Sequence, residues 1–155
     1  MMKIAIAIMG VERTGKTRSI VKVKDRVLEK YPGVNIELSR EDCTGDITFI
    51  GTVGNTKIGI ESQGDPQSHL FESIPLFIEK NCHVIICAAR TRGSTKELVE
   101  GLQNNGYSLI QLSNLTSDNI EHDYLNTLSS EFVFKMLLEI VDNGYLPSSV
   151  KDEVS

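Results

Sequence analysis

Residues 10–17 read G-V-E-R-T-G-K-T, a full match to the pattern G-x-x-x-x-G-K-[S/T]. Those residue types at that spacing suit one chemistry, the cradling of a polyphosphate. Gly10 and Gly15 permit backbone angles and a close approach that a Cβ would block. The loop N–H groups and the start of a following helix surround an anion with donors and a positive dipole end. Lys16 would reach the β- and γ-phosphates, and Thr17 would hold Mg²⁺ through its hydroxyl. Thr14 and Arg18 flank that pair and count with it as cofactor-binding positions, and Arg13 is a further candidate for a phosphate contact. A carboxylate is then needed at the end of a neighbouring strand to hold Mg²⁺ through water. Glu61 stands at the end of K-I-G-I-E and heads E-S-Q-G, with Gly64 closing the motif and Asp65 after it. Ligands of open α/β sheets sit beyond the carboxyl ends of strands, which favours a functional Glu61 over a merely solvated one. The basic loop Arg90-Thr91-Arg92 follows a later apolar run. An arginine there could stack on an adenine ring or contact a phosphate during transfer.

These residues need a scaffold that brings several strand ends together, and the chain alternates strand-like and helix-like segments as such a scaffold requires. Residues 3–9 are almost continuously apolar, the pattern of a central strand covered on both faces. A helix is expected over 15–30, with Ile20, Val21, Val27 and Leu28 facing the sheet and Pro32-Gly33 ending it. Residues 34–38 are a weak strand and 39–45 a polar loop. Strands over 46–53 and 56–62 join at Gly54-Asn55, a strong hairpin signal. Asp65 is expected to cap a helix with Pro66 in its first turn, kinked or split at Pro75. A strand over 82–88 follows, then a helix opened by a capping box at Ser94 and Glu97 and closed near Gly106. A last strand over 109–112 and a final helix over 130–143 complete the order.

Composition narrows the function classes. A chain of 155 residues can bury one substantial core. The expected organisation is a single nucleotide-binding domain over 1–146 and a polar tail over 147–155. A net charge of −5 argues against nucleic-acid or anionic-membrane partners, which need a basic face. Three cysteines without a C-x-x-C pair fit reduced thiols and no zinc framework. No apolar stretch approaches a membrane span or a secretory core, so a cytoplasmic location is expected.

The order of strand, phosphate loop, helix, polar loop, hairpin and E-x-x-G resembles the small GTPases and their relatives among P-loop NTPases. The resemblance implies an α/β, three-layer P-loop NTPase fold, with a central mostly parallel sheet, an antiparallel hairpin strand, and helices on both faces. In that family a D-x-x-G motif follows the hairpin, its Asp near Mg²⁺ and its Gly sensing the γ-phosphate. Glu61 stands where the Asp stands, Gly64 matches the Gly, and Asp65 takes a position often held by a water-orienting Gln. Thr44 would be the switch threonine that reaches Mg²⁺, with Thr48 and Thr52 as nearby alternatives. The resemblance thus implies Lys16, Glu61 and Asp65 as catalytic residues and Thr17, Thr44 and Glu61 as metal ligands. It covers only the phosphate half of the site. The guanine-reading N-K-x-D motif is replaced by A-A-R-T at 88–91, and the later serine-alanine-lysine motif by Ser113-Asn114-Leu115. ATP is therefore favoured over GTP. Three functions are consistent with these residues: an Mg²⁺-dependent triphosphatase, a kinase for a small molecule or nucleotide, and a non-catalytic module whose nucleotide state is read by a protein partner.

Overall fold

A computed structural model of the chain describes residues 2–10, 15–66 and 68–147. Six strands form one sheet: β1 (Ile4–Met9), β2 (Asn35–Glu41), β3 (Ile47–Val53), β4 (Thr56–Glu61), β5 (Val84–Ala89) and β6 (Ser108–Ser113). Four α-helices flank it: α1 (Lys16–Lys30), α2 (Leu70–Glu79), α3 (Ser94–Glu100) and α4 (His122–Asn143). The strand order is β2-β3-β4-β5-β1-β6. The pairs β4·β5, β5·β1 and β1·β6 are parallel, and β2·β3 and β3·β4 are antiparallel. The sheet is thus mixed, with a three-stranded meander where a single hairpin was expected.

The period of two along β1 sorts its side chains onto two faces. Ile4, Ile6 and Ile8 meet Ile20, Val23 and Val27 of α1 and Val133, Phe134, Leu137 and Ile140 of α4. Ala5, Ala7 and Met9 share the opposite core with Leu70, Ile74 and Phe77 of α2 and Val99 of α3. All six β1 residues are buried, as the continuous apolar run required. In β4, Gly59 lies under Phe77: an added Cβ there would stand 2.7 Å from the ring.

Several element boundaries differ from the sequence expectation. β2 runs on through Ser39, Arg40 and Glu41, because these polar residues pair with Phe49, Thr48 and Ile47 at the sheet edge. Asp65 does not cap α2, which begins five residues later at Leu70. That helix continues through Pro75 unsplit. Gly93, not Ser94, is the cap residue of α3, and no side-chain cap bond forms there. The final helix starts at His122, a full two turns before Ser130. The Gly54-Asn55 turn does join an antiparallel pair, Val53 opposite Thr56, and Gly54 takes φ 59° as the first residue of a II′ hairpin turn.

β1, β4, β5 and β6 all end at one side of the sheet, so Gly10, Ser62, Arg90 and Asn114 begin loops that share that side. The Arg90 loop follows the strand adjacent to β1, as expected. β4 does not neighbour β1; β5 lies between them.

Candidate polyphosphate and metal site

Lys16 is the first residue of α1 and only 7% exposed. Its Nζ donates to the Gly10 carbonyl at 2.5 Å, which ties the start of α1 to the end of β1. Gly10 in turn donates its N–H to the carbonyl of Ala89 at 3.1 Å. Gly15 sits at φ 84°, and a Cβ there would stand 2.5 Å from Asn126 Oδ1, so both conformation and space call for glycine. Gly15, the N-cap of α1, has no side chain to cap the helix, whose N-terminal end carries the positive end of the helix dipole. Arg13 and Thr14 lie outside the described residues.

A carboxylate does meet Thr17, but it is Asp46. Thr17 Oγ1 donates to Asp46 Oδ1 at 3.0 Å. Ser62 Oγ donates to the same oxygen at 2.9 Å and accepts the Ile47 N–H at 2.8 Å. Thr44 Oγ1 lies 3.1 Å from Asp46 Oδ2 and 2.6 Å from Asp42 Oδ1. Asp42 also accepts the N–H groups of Thr44 and Asp46. Its carboxyl is held below the ordinary aspartate range, first by the Thr44 hydroxyl bond.

Glu61 is fully buried and turned the other way. Along β4, Ile58 and Ile60 face α1 and α4, while Gly59 and Glu61 face α2. Glu61 Oε1 accepts the hydroxyls of Thr48 at 2.6 Å and Ser73 at 2.5 Å, and Oε2 accepts the Gln63 N–H at 3.0 Å. It ties β3, β4 and α2 together instead of standing beside Thr17. Period two then puts the next residue, Ser62, on the α1 side, where it positions Asp46. Sequence reasoning missed Asp46. The signal was there: an Asp at the first residue before a strand antiparallel to β4 must lie at the β4 carboxyl end.

A cavity of about 240 Å³ is lined by residues 15–18, Asp46, Ser62 and residues 63–65. It brings together Gly15, Lys16, Thr17, Arg18, Gly64 and Asp65 of the expected set. Gly64 is pressed against β5, where a Cβ would stand 2.4 Å from the Ala88 carbonyl. Arg90 reaches the cavity rim by donating from Nε to Asp65 Oδ1 at 3.2 Å. Arg92 is exposed and outside the lining, exposed Thr44 is outside it too, and so is buried Glu61. A smaller cavity of about 170 Å³, lined by Arg40, Thr48, Glu61 and His69 among others, shares Asp46 with the first.

Beneath Gly15 lies a buried polar cluster that the sequence did not announce. Ser19 Oγ donates to Asn114 Oδ1 at 2.7 Å, and Asn114 Nδ2 to Asn126 Oδ1 at 3.2 Å. It pins α1, the loop after β6, and α4 to one another under the Gly15 turn.

The Thr17 hydroxyl and the Asp46 carboxylate are hard oxygen donors of the kind Mg²⁺ takes alongside phosphate oxygens. Among the described residues no group of three or more His, Cys, Asp or Glu converges on a metal position. Also among those residues, no helix is long and apolar enough to cross a membrane. No family model matches the chain, and no curated protein matches it either.

Proposed function

We propose that this protein binds a nucleoside triphosphate together with Mg²⁺ and hydrolyses it, with ATP favoured over GTP. One observation carries the reading. Lys16, the N-terminal end of α1, Thr17 and Asp46 all border a single polar cavity at the carboxyl ends of the strands. Backbone donors and the Lys16 ammonium would hold the phosphates, and Thr17 and Asp46 would hold Mg²⁺. When bound, the metal supplies charge neutralisation at the phosphate oxygens. Gln63, Gly64 and Asp65 line the same cavity and would orient the attacking water. The preference for ATP rests on the loop after β5, where A-A-R-T offers no carboxylate to guanine.

Calorimetric titration with ATP and Mg²⁺ tests this. Lys16→Ala is expected to weaken binding by about 1.5–3 kcal/mol, roughly 10- to 150-fold. Asp46→Asn is expected to remove most of the Mg²⁺ dependence while sparing metal-free binding. Unchanged affinity in Lys16→Ala would end the proposal. A thermal-shift panel of ATP, GTP, ADP and GDP ranks the bases, since a ligand at ~100 times its Kd stabilises the fold by about 2.7 kcal/mol.

Phosphoryl transfer to an acceptor is a second reading, favoured by the smaller cavity on the far side of Asp46. Release of phosphate in water alone supports hydrolysis. Formation of ADP and a phosphorylated acceptor, without free phosphate and only once an acceptor is added, supports transfer.

A further inference from the structure

The sheet ends in two edge strands of different character. β2, N-I-E-L-S-R-E, carries Glu37, Arg40 and Glu41, and its register with β3 shifts between Ile36 and Leu38. Lys57 and Lys80 each lie 3.3 Å from the Glu37 carboxylate. Charge and a bulge are ordinary devices by which a free edge discourages another strand. β6, S-L-I-Q-L-S, has neither charge nor proline, and its register with β1 is unbroken from Ser108 to Ser113. Its other edge meets no strand among the described residues.

An apolar face continues from that edge onto α4. Tyr124, Leu128 and Phe132 recur every fourth residue as one stripe, and they are 57%, 41% and 59% exposed. With Leu115 and Ile120 they make up five of the eight exposed large hydrophobic side chains among the described residues. Leu112 and Leu115 meet Leu128 and Phe132 around a groove of about 410 Å³. Neither the groove nor β6 carries a charged side chain, although the whole chain carries −5. A second copy therefore meets no like charge at β6 or in the groove. α4 has 22 residues and runs about 33 Å. Sheet edge and helix layer together are roughly 20 Å deep, so the face offers on the order of 600 Å² per copy. A standard interface buries about 800 Å² per partner.

We infer that this face takes a second copy of the chain. β6 pairs antiparallel with the copy's β6 about a two-fold axis normal to the sheet, which satisfies the outward backbone groups of both edges. Such an axis keeps each sheet face on its own side. The two α4 helices therefore meet, and Leu128 and Phe132 of each copy cover the groove of the other.

The test is the solution mass of the full chain by light scattering, with Gln111→Lys on the edge, Phe132→Lys on the stripe, and Ile36→Lys on the opposite edge. The expected result is a dimer for the unmodified chain and for Ile36→Lys, and a halved mass for the other two. A monomeric unmodified chain, a dimer that survives Gln111→Lys or Phe132→Lys, or one lost in Ile36→Lys overturns the inference. Hydrogen exchange on the unmodified chain needs no variant. Amides over Ser108–Ser113 should exchange more slowly as the protein is concentrated. Exchange there that does not depend on concentration, the sign of cover from within the single chain, overturns it as well.

Discussion

Glu61 shows how much one side-chain direction decides. Its carboxylate has no exposure and is satisfied by two hydroxyls and one backbone N–H. Glu61→Gln keeps the shape but turns one acceptor into a donor, which then faces either the Gln63 N–H or the two hydroxyls. The expected cost is about 1–3 kcal/mol of folding stability, read from denaturant unfolding. Its effect on Mg²⁺-dependent nucleotide binding should be smaller than that of Asp46→Asn. The larger effect at Glu61 would return that residue to the metal. The grouping of Gly15, Lys16 and Thr17 at the start of α1 beside one cavity was legible from their spacing, because it rests on local backbone geometry. Asp46 was not legible in that way. It reaches Thr17 across 29 positions of sequence, through the register of two strands.

At the scale of elements, the turn over residues 42–46 supports the site. Asp42 accepts the N–H groups of Thr44 and Asp46 and the Thr44 hydroxyl, and Gly45 closes the turn at φ 88°. Because its folded pKa is lowered, Asp42 contributes stability that is fully present above the ordinary aspartate range. That contribution is lost as pH falls through the depressed folded value. Melting curves should therefore show Asp42→Asn least stable relative to the parent at neutral pH, with the gap closing in acid. A gap that stays constant with pH would remove the charge of Asp42 from the account. Boundaries failed to read where a tertiary neighbour overrode the local pattern. The first two turns of α4 bury Asn126 and Ser129 beside Leu125 and expose Tyr124 and Leu128, which blurs the amphipathic pattern. β2 looks like a loop past Leu38 because an edge strand can carry charge on both faces.

At the scale of the whole molecule, the core closes over both faces of one mixed sheet and hides two thiols. Burial pushes the Cys82 and Cys87 thiols up to about 12, with the Glu61 carboxylate adding to the rise at Cys87. Cys43 is exposed. A thiol reagent should modify one cysteine quickly in the folded protein and the other two only on unfolding. A second fast thiol would mean that the core opens at β5 or at the turn before it. The sequence by itself determined the elements whose periodicity is strong, the glycine at the start of α1, the tight turn at Gly54-Asn55 and the α/β class, since each depends on contacts between near neighbours in the chain. Only the tertiary structure decided that β5 separates β1 from β4, that Glu61 faces α2, and that Asp46 meets Thr17. Those depend on strand order and register, which are fixed by burying both sheet faces at once and not by any short stretch of residues.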